Sequence, residues 1–265
     1  MDEPGTVYFT GTAGAGKTTF VRAFADWMRA AGYDATVVNL DPGNENPALN
    51  PDIDIREWVR LPDVQDEYGL GPNGAQVAAA DMIALKVFDV KAAITELKTD
   101  YVLIDTPGQI ELFAFREASK AIVDALSGDR SILAFLFDPA LARTPGGFVS
   151  LRMLSATVEF RFRLPLLQVL SKSDVLSADQ LHEITGWSED PDALYAAVTR
   201  EAPTPDVQLS TELFRAIETM APLSDLLPAS ATEAQGLDVF YRSCQRVFSG
   251  GEDLEPSHAP TESDG

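Results

Sequence analysis

The segment Gly11-Thr12-Ala13-Gly14-Ala15-Gly16-Lys17-Thr18 has the spacing G-x-x-x-x-G-K-[ST]. That spacing suits a phosphate. Glycines let successive backbone N–H groups turn inward, and a helix opening after the loop adds partial positive charge. In this reading Gly11, Gly14, Ala15 and Gly16 build the cradle, Lys17 reaches the β- and γ-phosphates, Thr18 offers its hydroxyl to Mg²⁺, and Thr19 stands beside the α-phosphate. A Gly-rich turn that only packs a strand on a helix has a similar pattern. The apolar strand before this loop and the helical stretch after it favour the phosphate.

Two carboxylates belong to the same chemistry. Asp105 follows the apolar run Tyr101 to Ile104 and opens Asp105-Thr106-Pro107-Gly108-Gln109. At the end of a parallel strand beside a phosphate loop, Asp105 is a ligand for Mg²⁺, directly or through water. Gly108 lets the backbone approach a γ-phosphate, and Gln109 is placed to orient a water in line with it. Asp41 ends a second apolar run in Asn39-Leu40-Asp41-Pro42. It is expected to bind a Mg²⁺-held water or to take a proton from the attacking one. An Asp that merely caps the turn before Pro42 is the simpler alternative.

A base site is expected at Ser171-Lys172-Ser173-Asp174. A carboxylate at Asp174 accepts from guanine N1–H and N2–H₂, a donor pair that adenine lacks. Two such charge-assisted bonds, at about 1.5–3 kcal/mol each, discriminate strongly for GTP. The Lys172 stem can lie over the purine ring. The usual pattern is [NT]-K-x-D, so Ser171 departs from it and offers no amide to guanine N7. Ser230-Ala231 follows the last apolar run and would supply a backbone N–H to guanine O6.

These residues need a scaffold that brings strand ends together. Of 265 residues, 45% are hydrophobic, enough for a real core. Short apolar runs (7–10, 35–40, 101–104, 132–137, 164–170, 226–229) alternate with helical stretches (17–31, 74–97, 111–126, 148–162, 177–221, 237–248). That alternation predicts an α/β fold: a P-loop NTPase three-layer sandwich, its mostly parallel sheet flanked by helices, with helical insertions. Residues 1–248 are read as one domain and 249–265 as a disordered acidic tail. Residues 42–73 are expected to be irregular, with one strand-like piece at Ile53-Asp54-Ile55.

Composition narrows the function classes. There are 41 acidic and 20 basic residues, a formal charge of −21. Residues 249–265 hold only five of those acids, so the excess lies in the domain. Direct nucleic-acid binding is disfavoured. Six lysines against fourteen arginines and an acidic surface point to the cytoplasm of a salt-accumulating organism. No apolar run reaches the ~20 residues of a membrane span, and the acidic N-terminus speaks against a secretory signal. One cysteine, Cys244, excludes a disulfide framework. Arg56, Arg143 and Arg152 read as surface ion-pair residues.

The ordered set of motifs resembles the GPN-loop GTPases, over roughly residues 5 to 248. Gly71-Pro72-Asn73 stands where that family carries its naming tripeptide, and Val38-Asn39-Leu40-Asp41-Pro42 and Asp105 to Glu111 are similar to its signatures. The resemblance implies a homodimer of the archaeal type, in which Gly71, Pro72 and Asn73 reach the partner's nucleotide site. It implies that Glu111 helps position water. It also implies Mg²⁺-dependent hydrolysis of GTP to GDP and phosphate, in service of an unidentified client in protein-complex assembly. An ordinary turn with Asn73 as helix N-cap is the plain alternative for the tripeptide. A nucleotide-dependent scaffold with little turnover and a P-loop kinase are the rival functions.

Overall fold

A computed structural model describes residues 3–44, 50–200, 205–220 and 225–249. One sheet contains β1 (Gly5–Gly11), β2 (Ala35–Asn39), β3 (Ile53–Asp54), β4 (Tyr101–Asp105), β5 (Ser131–Phe137), β6 (Leu166–Leu170) and β7 (Leu226–Pro228). Their order is β3-β2-β4-β1-β5-β6-β7. Every neighbouring pair is parallel, where the sequence led us to expect a mostly parallel sheet. Strands buried on both faces must be apolar throughout, and β1, β4 and β5 are buried at every position.

Side chains alternate between the two faces. Val7, Phe9, Leu103, Ile132, Ala134 and Leu136 pack against α1 (Lys17–Ala30) and the helix Leu237–Ser249. Tyr8, Val102, Ile104, Leu133, Phe135 and Phe137 pack against the remaining helices. The first face is aromatic: Phe24 meets Phe240 edge-on with ring centroids 4.9 Å apart, and Phe9 lies under both. Burying each such ring contributes about 1.5–3 kcal/mol. The helix bearing the phosphate-loop lysine is therefore firmly seated.

The second face carries α2 (Leu61–Tyr68), α3 (Pro72–Leu85), α4 (Val87–Leu97), α5 (Ile110–Ala114), α6 (Glu117–Leu126), α7 (Pro139–Ala142), α8 (Pro145–Phe162), α9 (Ala178–Glu189), α10 (Pro191–Arg200) and α11 (Pro205–Met220). α12 (Leu237–Ser249) lies beside α1 on the first face. Two expected helices are each divided. The stretch 74–97 breaks at Lys86, whose N–H donates to Ile83 O, and 111–126 breaks at Phe115–Arg116. α2 was not foreseen in the segment expected to be irregular. Its signals are Pro62 in the first turn and Gly69 at φ 61° after the last.

Arg152 corrects another expectation. It is buried on α8 and donates to the Gln168 side chain of β6, so it is no surface residue. Residues 250–265 of the expected tail lie outside the described residues. No helix among the described residues is long and apolar enough to cross a membrane.

Candidate nucleotide site

The carboxyl ends of the parallel strands collect the candidate residues along one edge, where ligands of open α/β sheets bind. β1 runs into the phosphate loop, β2 into Asp41, β4 into Asp105, β6 into Ser171 and β7 into Ser230. The loop needs its glycines. Gly11 has φ 145°, and a Cβ there would stand 2.7 Å from Leu136 O. Gly14 and Gly16 have φ 81° and 87°, a backbone region costly for other residues.

Lys17 is buried, and its Nζ donates to Gly11 O at 3.0 Å, Thr12 O at 3.0 Å and Gly108 O at 2.9 Å. Three carbonyls satisfy three N–H bonds, yet among the described residues no carboxylate neutralises the charge by contact. Burial pushes the ammonium down from its ordinary value, opposed by Asp105, Asp41 and Glu111. A cation held in this way is well placed to meet an anionic phosphate.

Thr18 Oγ1 donates to Asp105 Oδ2 at 2.7 Å. Asp105 Oδ1 is buried and makes no hydrogen bond. Burial pushes the Asp105 carboxyl up to about 7, and the neighbouring Asp41 adds to that, against the pull of Thr18 and Lys17. A hydroxyl beside an unpartnered carboxylate oxygen is a hard-oxygen pair that fits Mg²⁺. That ion takes one or two protein ligands and completes its shell with water and phosphate. No cluster of three or more His, Cys, Asp or Glu forms a metal cage among the described residues. A Mg²⁺ site with few protein ligands does not require one.

Asp41 commits both oxygens to backbone: Oδ1 accepts from Gly43 N and Oδ2 from Gly108 N, each at 2.9 Å. Burial pushes its carboxyl up, while those N–H groups, Lys17 and Arg56 hold it down. Gly108 is thus held from both sides, by Lys17 at its carbonyl and by Asp41 at its N–H. Gln109 is exposed, and its Nε2 donates to Gln76 Oε1 at 3.1 Å. Glu111 lies exposed in the first turn of α5. A cavity of about 240 Å³ is lined by Gly14, Asp41, Gln76, Gly108 and Gln109, among others.

The base loop braces the phosphate loop. Ser171 is buried, and its hydroxyl lies 2.8 Å from Ala15 O and 3.0 Å from Phe137 O. Lys172, at φ 51°, donates to Gly14 O at 2.5 Å and pairs with Asp138 at 3.1 Å. Its stem runs past Gly16. Asp174 is exposed and has no hydrogen-bond or ionic partner among the described residues. Ser173 N–H donates to Ala229 O, tying the base loop to the end of β7. Ser230 N–H is taken by Gln235 O at 3.0 Å, which leaves Ala231 N–H as the donor of that pair.

Gly71 is the N-cap residue of α3, Pro72 its first position and Asn73 its second. The alternative with Asn73 as N-cap is therefore set aside. All three residues are exposed, and the Asn73 amide has no partner among the described residues. These residues do not line that cavity.

Sequence reasoning missed the contributions of Asp138, Gln76, Asn44 and Asp54. Asp138 pairs with Lys172, and Gln76 meets Gln109. Asn44 Nδ2 lies 3.4 Å from Asp105 Oδ2. Arg56 grips Asp54 and donates to Asn44 O at 2.6 Å, while Asn39 Nδ2 donates to Asp54 at 3.0 Å. The acid-then-arginine pattern Asp54-Ile55-Arg56 was the available signal for the last of these.

Residues 9–249 match a family profile described as a conserved hypothetical ATP binding protein. A GPN-loop GTPase of Pyrococcus abyssi is 34% identical over 192 residues, 72% of this chain and 76% of that protein. GPN-loop GTPase 1 of Saccharomyces cerevisiae is 30% identical over 199 residues, 74% of this chain, and the chain spans 51% of its length. The crystal structure of an apo-form GTPase from Pyrococcus abyssi superposes with a TM-score of 0.82 at 29% identity, covering 92% of this chain and 97% of that one.

Proposed function

The chain belongs to the GPN-loop GTPase family, and from that premise we propose that it binds GTP with Mg²⁺ and hydrolyses it to GDP and phosphate as a homodimer. The observation that carries this is the bridge from Lys17 to Gly108. It puts the phosphate-binding ammonium within one hydrogen bond of the turn that would sense a γ-phosphate.

In this account the inward N–H groups of residues 11–18 and the Lys17 ammonium hold the β- and γ-phosphates. The chain's Thr18 hydroxyl and Asp105 carboxylate would hold Mg²⁺, which supplies charge neutralisation at the phosphates. Gln109 orients the attacking water, with Glu111 beside it, and Asp41 receives its proton. Asp41 releases the Gly108 N–H to the γ-phosphate and so frees a carboxylate oxygen for that role. Asp174, Lys172 and the Ala231 N–H read the guanine. The free carboxylate of Asp174 is the feature that favours guanine over the adenine in the family profile's description.

The exposed tip of α3 supports a contribution from the partner. Asn73 donates its amide across the dimer to the other nucleotide. An arginine finger is worth ~10³–10⁵ in rate, so an uncharged amide in its place gives slower turnover. Leu85 and Phe88 flank the break after α3 and are 78% and 74% exposed. They support a protein-binding surface, for the partner subunit or for a client whose assembly the nucleotide cycle drives. The charge of −21 supports a salt-rich cytoplasm.

The test is phosphate release from GTP by the wild type and by Lys17→Ala, with Mg²⁺ and with EDTA. Turnover confined to the wild type with Mg²⁺ supports the proposal. Equal release by Lys17→Ala defeats it.

A further inference from the structure

We propose that Gln76 is a positioning residue for hydrolysis, acting through Gln109. This rests on the reading of Gln109 as the residue that orients water. Gln76 lies on α3, outside every motif of the phosphate and base sites, yet its Oε1 accepts from Gln109 Nε2 at 3.1 Å. Both side chains line the cavity that also holds Asp41, Gly108 and Gly14.

The contact decides which end of the Gln109 amide serves the water. A water attacking phosphorus has two O–H groups: one gives its proton to Asp41, and the other needs a hydrogen-bond acceptor that fixes the water's orientation. Gln109 has one, Oε1, and a donor, Nε2, at the end of a soft, two-fold torsion. An exposed amide free to turn would present the wrong end for much of the time. Gln76 holds the donor end, so Oε1 is left as the acceptor. No other side-chain hydrogen bond of Gln109 competes among the described residues.

Gln76 can do this because α3 is itself fixed. Ala75, Ala79, Ala80 and Ile83 are buried in the core beneath it. Arg116 Nε donates to Asp81 Oδ1 at 2.8 Å, tying the helix to the start of α6. Gln76 also follows Asn73 by three positions, so the two share a helix face. The helix that presents its tip to the partner is therefore the helix that sets Gln109 in its own subunit.

The test uses the full chain, with single-turnover GTP hydrolysis and the affinity for a fluorescent GDP analogue. Gln76→Met keeps length and helix propensity but removes the acceptor. It should lower kcat by about tenfold, with KM and GDP affinity unchanged. Gln76→Glu retains an acceptor oxygen and should stay within about threefold of the wild type. Added to Gln109→Ala, Gln76→Met should cost nothing further.

A wild-type rate for Gln76→Met overturns the proposal. So does the same fold-loss in the Gln109→Ala background, or a loss seen in KM and GDP affinity instead of kcat. A wild-type rate for Gln109→Ala removes the premise and the proposal together. That result is distinct from one in which Gln109→Ala is slow and Gln76→Met is not.

Discussion

Asp41 and Gly108 are joined by a 2.9 Å hydrogen bond from the Gly108 N–H to the carboxylate. The bond links the end of β2 to the turn after β4. A γ-phosphate and Asp41 both want that N–H, and only one can have it. Asp41→Asn still offers an oxygen to Gly108 and should keep nucleotide affinity, while losing the acceptor for the Gly43 N–H should cost about 1–3 kcal/mol of stability. It cannot take a proton, so kcat for GTP should fall by about 10²–10⁴. Rapid-quench hydrolysis beside equilibrium binding checks this. An equal fall in affinity would make Asp41 a binding residue only.

Asp174 has both oxygens free of partners among the described residues, which is the arrangement a guanine edge requires. Asp174→Asn should weaken GTP by about 10²-fold and improve xanthosine triphosphate, whose 2-oxo group needs a donor. Competition titrations with both nucleotides read the exchange. Unchanged GTP affinity would remove Asp174 from the base site.

The proposed in-trans role of Asn73 is open to complementation. Asn73→Ala alone and Lys17→Ala alone should each hydrolyse GTP slowly. Mixed, they form dimers with one site that has both an intact Lys17 and an intact partner loop. Phosphate release should recover to about a quarter of the wild-type rate, the share of such sites in a random equimolar mixture. A mixture no faster than its parts would contradict a shared site.

Asp54 supports the edge beside Asp41. Burial pushes its carboxyl up, but the Arg56 guanidinium and N–H and the Asn39 amide outweigh this, leaving it below its ordinary 3.8. A folded pKa below the unfolded one means stability that is present above about 3.8 and lost as pH falls through the folded value. Asp54→Asn should therefore destabilise the protein by about 1–3 kcal/mol at pH 7 and progressively less below pH 4. Urea unfolding across that range measures it. A gap that stays constant down to pH 3 would deny the ion pair its role.

The phosphate loop, Asp41, Asp105 and Asp174 were legible because a strand end followed by Gly, Asp or Lys is a local pattern. The sheet was legible because β4 and β5 are apolar at nearly every position and β1 has an apolar centre, Val7-Tyr8-Phe9. What escaped was tertiary. Nothing near Gln76 indicates that α3 crosses to Gln109, since that contact spans 33 residues. Arg152 seemed a surface residue because its partner Gln168 comes from a strand 16 residues on. Ser171 departs from the usual base motif, and its reason appears only when its hydroxyl is seen against Ala15 O. The break at Lys86 has no proline or glycine to announce it.

The most direct test is phosphate release from GTP and ATP side by side, with Mg²⁺ in molar KCl to screen the acidic surface. The account predicts GTP turnover at least about tenfold above ATP turnover, the discrimination expected from even one charge-assisted bond to Asp174. Comparable turnover of the two nucleotides would contradict it.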